Sequence, residues 1–123
     1  MTQVDMASKL MDDMDPLLLE FIQSRVNSFV KWDLVRFFHD NPHAADTPES
    51  IARYISRDAR TIDTELKGLV RAGVLQQNQV SNVYVYALTN DRQVRDLVSS
   101  FVTACNDRQF RVKAIYHVIR AMR

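Results

Sequence analysis

The sequence predicts a mainly α fold that contains one small β-hairpin. Apolar residues recur at three- and four-residue spacing through most of the chain, which is typical of helices with one buried face. The spacing changes only between Val74 and Leu88, where β-branched and aromatic residues are concentrated in two short stretches. With 123 residues, 46% hydrophobic and 25% charged, the chain has the length and composition of one globular domain.

The first two predicted helices each begin at a residue that can cap a helix. Asp15 precedes Pro16, and proline is favoured at the first helical position because it lacks the N–H that would be unpaired there. Ser28 precedes a second helix, Phe29–Asp40, which ends at Asn41-Pro42 because proline disfavours helical backbone before it.

The next two helices are predicted to be closely connected. A loop, His43–Asp46, leads to Thr47, which caps a short helix. The tight turn Ser56–Asp58 follows, and its last residue caps a longer helix, Ala59–Ala72. We expect Gly73 to end that helix with a left-handed backbone conformation.

Two strands come next. Val74–Gln77 and Val83–Leu88 are predicted to pair as a hairpin, with Gln77–Asn82 as its polar tip. Thr89 or Asn90 is expected to cap a final helical region.

The chain therefore divides into three predicted segments. Residues 1–14 form a flexible N-terminus, since they are polar and acidic. Residues 15–90 form a helix-turn-helix domain with a preceding helix, and residues 91–123 form a C-terminal helical dimerisation region.

Composition excludes several classes of protein. Two glycines and three prolines exclude a collagen-like chain and a phosphate loop that needs several glycines. The single Cys105 excludes an internal disulfide and a zinc site built from several thiolates. The longest apolar run, Val83–Leu88, is too short to cross a membrane, and the acidic start is unlike a signal peptide. We expect a cytoplasmic protein without membrane contact.

No pattern points to catalysis. His39, His43 and His117 lie on different elements, and no nucleophile, base and acid occur in a recognisable arrangement. We expect no enzyme activity, no metal and no cofactor. Cys105 is interpreted as a buried structural thiol. Four aromatic residues are interpreted as core or dimer packing, with an aromatic effector pocket as the alternative: Trp32, Phe37, Phe38 and Tyr116.

One run of residues carries most of the functional information. Ser50–Ile55, Asp58–Ile62 and Leu66–Leu75 combine a short helix, a turn, a longer helix and a glycine stop before the hairpin. Over roughly residues 28–90 the chain resembles winged helix-turn-helix transcriptional regulators, with the ArsR, MarR and PadR-like groups as the most similar. The resemblance implies that the second helix of the motif enters the major groove of duplex DNA.

The resemblance also implies a set of DNA-contacting residues. These are the residues of the turn, of the outward side of the second helix and of the polar wing. The candidates are Arg57, Arg60, Thr61, Thr64, Lys67, Gly68, Arg71, Gln77, Asn78, Gln79 and Asn82.

Two departures from the usual pattern favour an alternative. Asp63 and Glu65 place acids on the second helix, where they would either repel phosphate or require contacts to cytosine. The wing, Gln76–Asn82, contains no Lys or Arg, so it would release few counterions on binding DNA. The alternative is a winged helix that binds a protein partner and no DNA.

The terminal helical segments present more apolar surface than the motif needs. From Val94 to Met122, apolar residues recur in alternating steps of four and three residues, and only Arg108 interrupts the series. This spacing is suited to helix pairing. The region is either one long helix, or two helices that break at Asn106-Asp107 and fold back on the first helix. We predict a homodimer that reads a roughly palindromic site. The predicted dimerisation residues are Leu18, Phe21, Ile22, Val94, Val98, Phe101, Val112, Ile115, Ile119 and Met122.

Overall fold

The computed structural model describes residues 9–123. These residues include a helical turn at 9–11, six complete helices and a three-stranded sheet, so the prediction of a mainly helical winged helix-turn-helix architecture with added terminal helices is confirmed at the level of the fold. The elements are α1 (Pro16–Ser24), α2 (Phe29–Asp40), β1 (Ala45–Asp46), α3 (Pro48–Ile55), α4 (Ala59–Arg71), β2 (Leu75–Val80), β3 (Val83–Leu88), α5 (Arg92–Ala104) and α6 (Arg108–Ala121).

The first four helices begin where the sequence predicts. The side chains of Asp15, Ser28, Thr47 and Asp58 each accept a hydrogen bond from a backbone N–H in the first turn of the helix that follows. The prediction for α5 was wrong by one or two residues, because Asp91 is its cap and accepts from two backbone N–H groups.

The sheet contains one strand that the sequence did not predict. Its order is β1-β3-β2, and both pairings are antiparallel. Ala45 pairs with Ala87 and Asp46 with Tyr86, so the predicted loop His43–Asp46 includes β1. A two-residue strand is too short to show the alternation that identifies strands in sequence.

The hairpin tip is also shorter than predicted. β2 continues to Val80, and only Ser81 and Asn82 lie between the strands, with Ser81 at φ 56°. The polar residues of β2 have low strand propensity, but backbone pairing with β3 holds them in the ladder.

Residues 91–122 form two helices rather than one. Asp107 caps α6 by accepting from the N–H of Phe110 at 2.9 Å. Both helices fold back on α1, as the second of the two alternatives predicts. Six of the predicted dimerisation residues are consequently already buried in the core of one chain: Leu18, Phe21, Ile22, Val94, Val98 and Phe101.

The last residues before α1 are held against α6. His117, itself buried, donates from Nε2 to the carbonyl oxygen of Met11 at 2.9 Å. Lys113 donates from Nζ to the carbonyl oxygen of Asp13 at 2.7 Å. Of the predicted flexible N-terminus, residues 1–8 lie outside the described residues, whereas residues 11–13 contact α6.

Gly73 has the left-handed conformation that the sequence predicts, with φ at +78°. A Cβ at this position would meet no atom within 4 Å, so a side chain would be disfavoured by the backbone alone. We expect Gly73→Ala to lower the free energy of unfolding by about 1–2 kcal/mol in urea denaturation. Gly73→Asn is the matched variant and should lose less, because asparagine tolerates this conformation. Equal losses in the two variants would contradict this explanation.

Cys105 lies at the end of α5 and is half-buried. Burial raises the pKa of its thiol to about 11, although the charges of Arg36 and Arg111 act in the opposite direction. The ordinary value of 9.0 applies to the unfolded chain, so the unfolded state loses its proton first as the pH rises. The contribution of Cys105 to the free energy of unfolding therefore falls as the pH rises from 9 towards 11.

The same shift predicts slow alkylation. At pH 9 the unfolded thiol is half ionised and the folded thiol only about one-hundredth ionised. We expect iodoacetamide to react about 50-fold more slowly with the native chain than with the urea-unfolded chain at this pH. Equal rates would show that the thiol is neither buried nor shifted.

Candidate nucleic-acid interface

Helices α3 and α4 pack through one apolar side each. Ile51 of α3 and Ile62, Leu66 and Leu69 of α4 are buried without exposed surface. Between the helices Ser56 adopts φ 57°, which turns the chain sharply enough for α4 to cross α3. Because one side of α4 is fixed in the core, its opposite side faces solvent.

That opposite side carries a stripe of cationic and polar residues. Arg60, Thr64, Lys67 and Arg71 follow one another in steps of four, three and four residues, and all four are exposed. We call these four residues the α4 stripe. All four are among the residues predicted to contact DNA.

The cations near this stripe differ in whether a carboxylate neutralises them. The Lys67 Nζ lies 2.9 Å from the Asp63 Oδ2, and this hydrogen bond, with the charge of Asp63, raises the pKa of Lys67. Arg57 pairs with Asp33 of α2, with Nη2 2.6 Å from Oδ2. Within residues 9–123, Arg60 and Arg71 form no ion pair. These two guanidinium groups are the ones available to an external anion.

Glu65 does not belong to the exposed side of α4. Its Oε1 accepts a hydrogen bond from the Ser28 hydroxyl at 3.1 Å, and its Oε2 lies 3.4 Å from the Lys31 Nζ. The expectation that Glu65 would repel phosphate is therefore wrong, since its charge is compensated by α2. Asp63 remains as the acid beside the α4 stripe.

Gly68 also faces α2. A Cβ on Gly68 would lie 2.9 Å from the Cε of Lys31, so the absent side chain makes room for the lysine. The close approach of Lys31 explains why position 68 has no side chain, and a DNA contact is not needed to explain it.

The two threonines are partly engaged within the helix. Thr61 belongs to the cap, because its N–H and hydroxyl both donate to Asp58. The Thr64 hydroxyl donates to the carbonyl oxygen of Arg60 at 3.1 Å and keeps its lone pairs exposed.

The strand register separates the predicted wing residues into two faces. Gln77 lies opposite Tyr86 and Gln79 opposite Tyr84, so these four side chains share one face of the hairpin. Asn78 pairs with Val85 and lies on the other face, and Asn82 lies in the turn. The predicted residues Asn78 and Gln79 therefore point to opposite sides.

The face that carries Gln77 and Gln79 adjoins α4. The pKa of Tyr86 is raised, chiefly by burial and then by the charge of Asp63. Its hydroxyl accepts a hydrogen bond from the Gln77 amide at 2.9 Å. β2 is in contact with α4, which places the wing beside the second helix of the motif.

Tyr84 is a further candidate, although it is absent from the residues predicted from the sequence. It is 50% exposed and lies on the same face of the hairpin as Tyr86. A period of two, counted back from the buried Leu88 and Tyr86, would have placed it there. Its hydroxyl can donate to a phosphate oxygen.

Other kinds of site find no support among the described residues. Across residues 9–123, no three His, Cys, Asp or Glu side chains are grouped so that they could hold a metal ion. No helix in this part of the chain has the length and apolar character needed to cross a membrane.

The fold and the α4 stripe define a winged helix-turn-helix domain with an exposed cationic second helix. No protein-family model and no curated protein matches the chain. It is similar to a solved structure described as a possible transcriptional regulator from Methanosarcina mazei Go1, with a TM-score of 0.48 and 17% identity over 87% of this chain and 82% of that chain. Similarity this low assigns no function, and the resemblance to the ArsR, MarR and PadR-like groups stays a prediction.

Proposed function

We propose that the chain is a transcriptional regulator that binds duplex DNA as a homodimer. The observation that carries the proposal is the α4 stripe, which opposes the buried side of the helix and contains two guanidinium groups without an ion-pair partner in residues 9–123. A helix of this width fits the major groove, where arginine can donate two hydrogen bonds to guanine.

The wing contributes contacts of a different kind. Gln77, Gln79 and Tyr84 share one face of the hairpin and offer amide and hydroxyl groups. Such groups bond phosphate oxygens or base edges but release no counterions. We therefore expect binding whose salt dependence reports the few cations of α4 and of the preceding turn.

The first experiment is fluorescence anisotropy of the purified chain with a labelled random duplex, titrated with salt. The proposal expects the logarithm of the affinity to fall linearly with the logarithm of the salt concentration. No binding at low salt would overturn it.

The dimer part of the proposal rests on the outer side of α6. Val112, Ile115, Ile119 and Met122 follow in steps of three, four and three residues and are 40–56% exposed. Ala114 and Val118 of the same helix are buried in the core, and the exposed series runs beside them. An apolar surface that extends beyond the buried side of a helix favours a second partner, and this spacing suits a matching helix.

We expect Ile115→Glu to convert the dimer to a folded monomer, because a carboxylate at the centre of the seam would be buried without a partner. Light scattering after gel filtration measures the mass, and circular dichroism checks the fold. Ser99→Glu adds the same charge at an exposed position of α5, outside this series, and should remain dimeric. A dimeric Ile115→Glu variant, or a monomeric parent chain, would remove the seam from the proposal.

A second candidate function is protein binding through the wing. Val80 and Val83 pair with each other at the hairpin tip and are 54% and 49% exposed, and no Lys or Arg accompanies them between Gln76 and Asn82. Exposed apolar residues grouped in this way are typical of protein contacts. A chain that fails to bind DNA at low salt would favour this candidate.

A further inference from the structure

Strand β2 lies at one edge of the sheet. In the order β1-β3-β2 it has β3 on one side and, among residues 9–123, no strand on the other. Its outer part is open to solvent, since Gln77, Asn78 and Gln79 are all exposed. This edge is six residues long, whereas β1 at the opposite edge has only two. β2 is therefore the edge at which a further strand can be added with several hydrogen bonds.

The direction of the backbone groups along β2 follows from one hydrogen bond. The N–H of Thr89 donates to the carbonyl oxygen of Val74 at 3.0 Å, so Val74 directs its carbonyl group towards β3. Antiparallel pairing reverses this direction from each residue to the next, and the register pairs the residues one to one. Asn78 therefore bonds to β3, whereas Gln77 and Gln79 direct their N–H and C=O groups away from it. These two residues offer both donors and acceptors to an added strand.

The devices that usually protect a strand edge are absent from β2. Edge strands are commonly kept from pairing with another chain by a lysine, a proline or a bulge. Leu75–Val80 contains no charged residue and no proline. Its continuous register with β3 also excludes a bulge. Nothing within β2 itself therefore opposes the addition of a strand.

The side chains of β2 favour a second copy of the same strand. An amide carries both a donor and an acceptor, so glutamine and asparagine can bond to residues of their own kind, whereas charged residues would repel their copies. With a two-fold axis at Asn78, Gln77 of one chain lies opposite Gln79 of the other. In this register the outward backbone groups of these residues face each other, and each of the two Gln77–Gln79 pairs can exchange two hydrogen bonds.

We propose that β2 pairs antiparallel with β2 of a second copy of the chain, centred on Asn78, so that two sheets join at their edges. Backbone hydrogen bonds with little apolar area give a weak contact, and we expect a Kd of about 0.1–1 mM. The contact goes beyond the proposed function, because it uses neither the outer side of α6 nor DNA.

The first test measures mass by sedimentation velocity at protein concentrations from about 10 µM to about 1 mM. It uses Ile115→Glu, which disrupts the proposed α6 dimer, so that failure of that dimer and failure of β2 pairing are distinguishable. We expect the mass of this variant to rise towards twice its value at the lowest concentration. A mass that does not change over this range would overturn the proposal.

Two further substitutions, each added to Ile115→Glu, test the backbone contact. Gln77→Pro removes an outward N–H but no bond to β3, and edge strands tolerate proline at such positions. It should abolish the rise in mass, with circular dichroism as the check on the fold. Gln77→Thr is the matched control: it also loses the amide that bonds to Tyr86, but it keeps the N–H and should still associate. Equal association of the two variants would overturn the proposal.

Hydrogen exchange, followed by NMR, locates the contact in the parent chain without a variant. The N–H groups of Gln77 and Gln79 should exchange more slowly at about 1 mM than at about 20 µM protein. The N–H of Asn78 is the internal control, because it is bonded to β3 at both concentrations. Unchanged exchange at Gln77 and Gln79 would overturn the pairing of two copies and would favour an extended segment of another protein as the occupant of this edge.

Discussion

The double variant Arg60→Ala/Arg71→Ala is expected to lose most of the affinity of the chain for duplex DNA while it keeps its fold. Both arginines are exposed on α4, and neither has an ion-pair partner within residues 9–123, so their removal leaves no unpaired carboxylate. Each contact to a base edge is worth about 1–3 kcal/mol, and each lost phosphate contact lowers the salt slope by about one unit. Anisotropy titrations at several salt concentrations separate these two effects.

Substitutions at neighbouring residues should lower the affinity for DNA less than this double variant does. Lys67→Ala should cost less, since Lys67 must leave Asp63 before it can bind an anion. Asp63→Asn should strengthen binding, because it frees Lys67 and removes a negative charge near the phosphates. Arg120→Ala on α6 is the control that leaves binding unchanged. If Arg60→Ala/Arg71→Ala binds DNA as the parent chain does, α4 is not the recognition helix.

Phe101→Ala should produce the largest loss of stability among single substitutions considered for this chain. Phe101 is fully buried, and its ring centroid lies 5.7 Å from that of Phe21, 5.3 Å from Trp32 and 6.2 Å from Phe110. It therefore joins α1, α2, α5 and α6 in one cluster. Truncation to alanine should lower the free energy of unfolding by about 3–5 kcal/mol, measured in urea.

The size of this loss depends on the cavity that remains. Phe101→Leu fills most of the space and should cost clearly less. Phe110→Ala is the comparison within the same cluster, and its cost should be smaller because Phe110 is only partly buried. A loss below about 1 kcal/mol for Phe101→Ala would mean that the terminal helices do not share a core with α2.

The sequence was most informative where structure is decided locally. The caps Asp58 and Ser28 and the left-handed Gly73 depend on a few neighbouring residues, so their positions could be predicted. The buried side of α4 follows from spacing alone, and that spacing also places the α4 stripe on the exposed side.

Features that depend on distant residues were missed. Glu65 looks like a surface acid in the sequence, but Lys31 and Ser28 of another helix engage it. β1 exists only because β3 lies beside it. Periodicity likewise identified Phe101 and Ile115 as members of one apolar series, but it could not show that the first is covered by this chain and the second is exposed.

The contact of α2 with α4 has a consequence for how substitutions combine. Lys31 lies over Gly68, and its Nζ is also 2.8 Å from the Asn27 side chain and 3.4 Å from Glu65. A methyl group at position 68 makes the end of Lys31 shift, which weakens its ion pair with Glu65, whereas a shorter residue at position 31 leaves room for the same methyl group. Positions 31, 65 and 68 are therefore epistatic: the effects of single substitutions there do not add, and the residue tolerated at one position is set by the other two.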